Sequence, residues 1–173
     1  MIGDNTKKGF TLIELLVSVA VFALAVSSVS GLFASSLKIQ RRSIAYQQLL
    51  DQTSYFLEYM SRAVRMARKD LSGACTGTAK LNYAFAGQCL KFRNSKDQCQ
   101  QFCLEGVRLK DQNGNYLTSG DLEVLSFNVS LSGQTQNDNE QPKAAISLDI
   151  KGRENSKIKI QTTISQRNLD VKK

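Results

Sequence analysis

Residues 7–16 read Lys7-Lys8-Gly9-Phe10-Thr11-Leu12-Ile13-Glu14-Leu15-Leu16, and the apolar run that they begin continues to Ala34. The segment from Phe10 to Ala34 would form about 37 Å of helix at about 1.5 Å per residue, which is enough to cross a hydrocarbon core of about 30 Å once. One carboxylate, Glu14, lies inside this run. A lone carboxylate in hydrocarbon is costly and is retained where a partner offsets the cost, so Glu14 is predicted to be functional.

These residues resemble the processing site of the type IV pilin and type II secretion pseudopilin family. The resemblance implies that a prepilin peptidase cuts after Gly9 and methylates the new N-terminal residue, Phe10. It also implies that Glu14 meets the Phe10 amine of a neighbouring subunit as a filament grows, because buried charges persist when they are paired. An ordinary signal anchor with an incidental glutamate is the alternative. A cleaved secretory peptide is not favoured, because no small-x-small site follows the apolar run.

The expected organisation has four regions. Residues 1–9 form a leader that is cleaved at its end, and their lysines place it in the cytoplasm through the positive-inside bias. Residues 10–34 cross the membrane. Residues 35–72 are expected to continue as the amphipathic half of the same helix, because no Pro or Gly interrupts the chain until Gly73. Residues 73–173 are expected to form a β-rich head outside the cytoplasm, so the protein is predicted to be a single-pass protein of the bacterial cytoplasmic (inner) membrane.

The second half of this helix carries apolar or small residues at intervals of three and four, which predicts one buried stripe. Its members are Leu49, Thr53, Phe56, Met60, Ala63, Val64 and Ala67. Beyond Gly73 the chain is rich in Thr, Asn, Gln and Gly among alternating apolar residues, as in strands and turns. The predicted fold is therefore α+β and pilin-like: a long N-terminal helix, transmembrane and then amphipathic, packed on one antiparallel β-sheet.

Alternation and turn signals locate the strands of this sheet. Strands are predicted at 89–93, 98–105, 107–110, 116–117, 122–131, 145–150 and 158–164, with turns at 94–97 and at Asn113-Gly114 and a polar loop at 133–143. In the longest strand the predicted core-facing residues are Glu123, Leu125, Phe127, Val129 and Leu131.

Four cysteines lie on the expected outer side of the membrane, where oxidation is permitted, so two disulfides are predicted among Cys75, Cys89, Cys99 and Cys103. If the second strand of the hairpin is extended, Cys99 and Cys103 lie about 13 Å apart, beyond the disulfide limit of about 7 Å. The turn at 94–97 then favours Cys89–Cys103 with Cys75–Cys99, whereas a helical turn at 99–103 would reverse this preference. A zinc site is not favoured, because there is one close cysteine pair and no histidine.

The charge is strongly basic, with 23 Lys and Arg against 15 Asp and Glu, a net +8. A basic surface attracts nucleic acid, anionic lipid or acidic proteins, and charge alone does not choose among them. Arg62, Arg65 and Lys69 are spaced by three and four, so they are predicted to share a helix face that offers DNA about three phosphate contacts. A solvated helix face is favoured over such a DNA site.

The run Leu57-Glu58-Tyr59-x-x-Arg62-x-x-Arg65-x-Ala67, with a cysteine soon after it, resembles the minor pilins called PilW and the minor pseudopilins called GspJ. The resemblance implies a minor subunit in a tip or priming complex of a type IV pilus or type II secretion pseudopilus. Its implied partners are other major and minor pilins or pseudopilins, the prepilin peptidase and the inner-membrane assembly platform. The alternative is a pilus-tip subunit that binds DNA during competence or adheres to a surface. No catalytic or nucleotide-binding motif occurs, so neither an enzyme, a cofactor nor a metal is expected.

Overall fold

The computed structural model describes residues 9–134 and 140–167. Most of the expected leader and part of the polar loop expected at 133–143 lie outside these residues. The chain divides into two compact units, Met1–Arg42 and Ser43–Lys173. The expected α+β class is confirmed, because one long apolar helix is followed by antiparallel strands. The helix is α1 (Leu12–Arg65), and the strands are β1 (Tyr83–Ala86), β2 (Cys89–Arg93), β3 (Cys99–Glu105), β4 (Arg108–Lys110), β5 (Glu123–Ser132), β6 (Lys143–Lys151) and β7 (Lys157–Ser165).

The first unit contains the N-terminal part of α1, where every described residue is exposed. Within the described residues, α1 is the one helix long and apolar enough to cross a membrane, with a mean hydropathy of 2.4 over 18 residues. Four serines inside the apolar run donate their hydroxyls to backbone carbonyls three or four residues earlier, at 2.7 to 3.0 Å: Ser18, Ser27, Ser28 and Ser30. Because these hydroxyls are satisfied within the helix, they lower the cost of placing serine in hydrocarbon.

α1 ends at Arg65, earlier than the boundary at 72 expected from the absence of Pro and Gly. The cause is a set of hydrogen bonds that the local sequence does not reveal. The Arg68 N–H donates to the Arg93 carbonyl at 2.8 Å, and the Asp70 N–H donates to the Leu81 carbonyl at 2.9 Å. These bonds hold the chain after Arg65 in an extended form, so the backbone donors that a longer helix would use are already engaged.

The predicted stripe on the second half of α1 is confirmed, since Leu49, Phe56, Met60 and Val64 are all buried. These residues join the head's core cluster with buried side chains of the strands. The remaining described members of the cluster are Ala67, Tyr83, Leu90, Phe92, Phe102, Leu109, Leu122, Val124, Phe127, Ala144, Ile146, Leu148, Ile150 and Ile164. The helix therefore contributes one wall of a single hydrophobic core in the second unit.

Within the described part of the head the strands form two antiparallel sheets, ordered β1-β2-β3-β4 and β5-β6-β7, so the prediction of one sheet is wrong. The chain after β4 explains the division. Lys110 forms a bridge with Tyr116, and the Leu117 N–H donates to the Leu109 carbonyl at 2.8 Å. This short segment occupies the outer edge of β4, so β5 is hydrogen-bonded beside the first sheet through the Val124 N–H, which donates to the Val107 carbonyl at 2.8 Å, and otherwise pairs with β6.

β5 contains a change of register between Val124 and Ser126 that corrects its predicted inner face. Val124 is buried and Leu125 is exposed, the reverse of the predicted alternation. Beyond the irregularity the prediction is confirmed, because Phe127 is buried and Val129 packs against the core. One extra residue in a strand shifts every later side chain to the opposite face. This shift explains why the predicted inner face is wrong before the irregularity and right after it.

The β2–β3 hairpin carries the disulfides. Its register places Cys89 directly opposite Cys103, and these two residues are bonded. Cys75 is bonded to Cys99, with 5.1 Å between the Cα atoms. The pairing is the one that the extended hairpin favoured in the sequence. The bond between Cys75 and Cys99 attaches the loop between α1 and β1 to the first residue of β3.

Asp70 organises that loop from inside. Its fully buried carboxylate accepts hydrogen bonds from the backbone N–H groups of Gly73, Cys75 and Thr76 and from the hydroxyls of Ser72 and Thr76. Burial alone would raise the pKa of Asp70, but these hydrogen bonds favour the ionised form and lower the pKa to about 2. Asp70 thus remains a carboxylate at neutral pH and holds Cys75 in the loop that Cys99 clamps.

Candidate processing and assembly site

The predicted cleavage junction, Gly9 and Phe10, is exposed and precedes the helix. The Phe10 side chain is 74% exposed. A Cβ added at Gly9 would meet no atom within 4 Å, and Gly9 is not among the residues with positive φ. Neither packing nor backbone conformation in the described chain therefore requires glycine at this position. If glycine is needed there, the requirement comes from a molecule that binds the junction.

Thr11 immediately precedes α1, and the sequence analysis did not identify it as important. The Thr11 carbonyl accepts from the Glu14 and Leu15 N–H groups at 3.1 and 3.2 Å, and its hydroxyl accepts from the Glu14 N–H at 3.3 Å. This is the threonine half of a capping box, whose sequence signature is a threonine followed three residues later by a glutamate. Thr11 therefore fixes the start of the helix two residues after the cleavage junction.

Glu14 lies in the first turn of α1, where a negative charge is favoured by the helix dipole. Within residues 9–134 and 140–167 no cation forms an ion pair with it. Glu14 shares one helix face with Ser18, Val21 and Ala25, which follow at intervals of four, three and four. The neighbouring side chains on this side are apolar or small and all exposed: Ile13, Val17, Ser18, Val21, Phe22 and Ala25. The carboxylate thus stands at one end of an apolar, uncovered helix surface.

The predicted basic face on α1 is not assembled as expected. Arg62 forms an ion pair with Glu58 one turn earlier. Lys69 lies beyond the end of α1 at Arg65, so its spacing of four from Arg65 does not place the two side chains on one helix face. Arg65 is exposed. The structure therefore does not bring Arg62, Arg65 and Lys69 together as a row of three cations on one helical surface.

The prokaryotic N-terminal methylation motif matches residues 4–30. The match covers the predicted cleavage junction, Glu14 and most of the apolar run. It supports a type IV pilin-like N terminus, a general pilin or pseudopilin role and anchoring in a membrane through α1. A motif of this kind implies interaction with a prepilin peptidase and with other pilins. No curated protein and no solved structure matches the chain.

Proposed function

We propose that this chain is a minor pilin or pseudopilin that takes part in a tip or priming complex during assembly of a type IV pilus or a type II secretion pseudopilus. The observation that carries the proposal is the junction of Gly9 and Phe10. It is exposed and non-helical, its glycine serves no purpose in the described fold, and Glu14 follows in the first helical turn. Cleavage after Gly9 by a prepilin peptidase accounts for these features together.

The role of Glu14 in assembly follows from its lack of a cation within the described residues. A carboxylate inside an apolar helix needs a partner, and cleavage creates one in the free Phe10 amine. A neighbouring helix that packs on the exposed apolar surface beside Glu14 would bring its own Phe10 amine to this carboxylate. The proposed partners are other major and minor pilins or pseudopilins and the inner-membrane assembly platform. Two disulfides support a head that folds outside the cytoplasm.

The assignment as a minor subunit rests on the resemblance of residues 57–67 to PilW-like and GspJ-like proteins. DNA binding is not favoured, because Arg62 is already paired with Glu58 and Lys69 lies past the helix. With fewer than three free cations on that face, phosphate contacts would give weak, nonspecific and salt-sensitive binding. No enzymatic activity is proposed for the chain.

The test is processing by an active prepilin peptidase, followed by mass spectrometry of the intact protein. The wild-type protein should begin with N-methylated Phe10, and Gly9→Val should keep its leader. Gly31→Val is the matched control, because a Cβ at Gly31 also meets no atom within 4 Å, and it should be cleaved normally. A wild-type protein that still begins at Met1 in the presence of the active peptidase would overturn the proposal.

A further inference from the structure

A group of three cations follows the apolar run of α1. Lys38, Arg41 and Arg42 are all exposed, and none has an ion-pair partner within the described residues. At about 100° per residue the three side chains fall within about 100° of one another around the helix. Lys38 lies about 6 Å and Arg42 about 12 Å beyond Ala34 along the axis. The cations therefore form a one-sided cluster just past the hydrocarbon segment, which we call the juxtamembrane cluster.

The residues beside the cluster are apolar and uncovered. Ile39 is 67% exposed, and Leu37 is 38% exposed. Aliphatic side chains interleaved with Lys and Arg suit the boundary of a bilayer, where the aliphatic groups contact acyl chains and the cations reach the headgroup layer. A cation-bearing helix surface in bulk water would gain nothing from these exposed aliphatic groups.

The cluster also opposes the expected orientation of the chain, a point that rests on the proposed function. Before cleavage the cytoplasmic side carries Lys7 and Lys8 close to the span, whereas the outer side carries the three cations of the juxtamembrane cluster. Positive charge beside a span favours the cytoplasmic side, so the cluster works against export of the head. Its placement calls for a compensating interaction on the outer side.

We propose that the juxtamembrane cluster binds the phosphates of anionic phospholipids in the outer leaflet of the membrane and thereby sets the depth of α1 before assembly. The complementarity is electrostatic: three unpaired cations meet lipids that carry net negative charge. Attraction of one cation to an anionic headgroup corresponds to about fivefold enrichment of that lipid over a zwitterionic one. An acidic protein or DNA would use the same charges but would not explain the exposed Leu37 and Ile39.

The experiment uses the whole chain, produced together with an active prepilin peptidase, in bilayer nanodiscs that contain equal amounts of phosphatidylglycerol and phosphatidylcholine. Native mass spectrometry of the released protein counts the lipids that remain bound. The wild-type protein should retain phosphatidylglycerol about fivefold over phosphatidylcholine, and the triple variant Lys38→Gln, Arg41→Gln, Arg42→Gln should retain the two lipids about equally. The double variant Arg41→Lys, Arg42→Lys keeps the charges and should keep the preference.

A head variant with the same loss of charge provides the control. Lys80, Lys96 and Lys157 are exposed and form no ion pair within the described residues, so their joint replacement by Gln should leave the lipid preference intact. The inference fails if the wild-type protein shows no preference, or if the head variant loses it as fully as the cluster variant. Methylation of Phe10, read in the same spectra, tests the proposed function separately. A methylated protein without lipid preference would refute only the proposed lipid site. An unmethylated protein with lipid preference would refute only the pilin assignment.

Discussion

Asp70→Asn should lower the free energy of unfolding of the head by about 2 kcal/mol at neutral pH. The pKa of the Asp70 carboxyl falls from its ordinary value of 3.8 to about 2 in the folded chain, and a shift of this size corresponds to about 2 kcal/mol of preferential stabilisation of the ionised form. Asparagine keeps the shape of the side chain but replaces one acceptor with a donor. That donor would face the N–H groups of Cys75 and Thr76, which lie 2.7 and 3.0 Å from Oδ2.

The direction of the pH dependence follows from the depressed pKa. Because the folded value lies below the unfolded value, the stabilisation is complete above about pH 5 and is lost as the pH falls towards about 2. The wild-type protein should therefore lose this contribution in acid, whereas the variant has no such group to titrate. The gap in unfolding free energy between the two proteins should shrink by about 2 kcal/mol from pH 7 to pH 2.

Urea unfolding of the full-length protein in a nonionic detergent, with both disulfides intact, measures this gap. Near-ultraviolet circular dichroism of the tyrosines is a suitable signal, since the chain has no tryptophan. Asp97→Asn is the matched control, because Asp97 pairs with Arg68 at 2.9 Å but its side chain is 55% exposed, and such surface pairs contribute about 0–1 kcal/mol. A gap that stays constant from pH 7 to pH 2, or an Asp70→Asn protein as stable as Asp97→Asn, would refute the reasoning.

Two further pairs of variants, each with its own control, probe the helix start and the loop. Glu14→Leu should insert in the membrane at least as well as wild type but fail to enter filaments, whereas Ser18→Ala, one turn along the same face, should assemble normally. The fraction of each protein recovered in sheared filaments measures assembly. Normal assembly of Glu14→Leu would contradict the pairing of Glu14 with a neighbour's amine. Gly73→Ala should cost about 1–3 kcal/mol, because Gly73 has φ of +77° and the new Cβ would lie 2.7 Å from the Ala79 nitrogen. Gly77→Ala, at φ +83° with open space around it, should cost less, and equal urea midpoints for the two variants would show that the close approach is unimportant.

Elements of the fold that depend on short-range sequence patterns could be predicted. The apolar run of α1, its buried stripe and the β2–β3 hairpin each depend on periodicity over a short window. The disulfide pairing followed from the hairpin, because a turn near 94–97 brings Cys89 to the region of residues 102 and 103. The register then pairs Arg93 with Cys99 across the five residues 94–98, which places Cys89 opposite Cys103. Thr11 had a local signal as well, the Thr-x-x-Glu pattern of a capping box, which the sequence reasoning did not use.

Features set by distant partners could not be predicted. The end of α1 depends on the hydrogen bond between Arg68 and Arg93, and the second sheet depends on Leu117 occupying the edge next to Leu109. β1 was missed because its turn to β2 consists of Gly87 and Gln88, both with positive φ, and glutamine gives no signal for such a turn.

The residues of the processing site and the buried residues of the head have different interaction partners. Processing and folding can therefore be altered independently. At the start of the first unit, Gly9, Phe10 and Glu14 are exposed and make no side-chain contact that the described fold depends on. In the second unit, several buried polar side chains are hydrogen-bonded within the head. Gln166 accepts from Asn82 at 2.6 Å and donates to the Ala67 carbonyl at 2.8 Å, and Asp70 accepts from the backbone N–H groups of Cys75 and Thr76. Changes at the N terminus should therefore abolish cleavage or assembly while leaving urea unfolding of the head unchanged, because the energetic partners of those residues lie in other molecules.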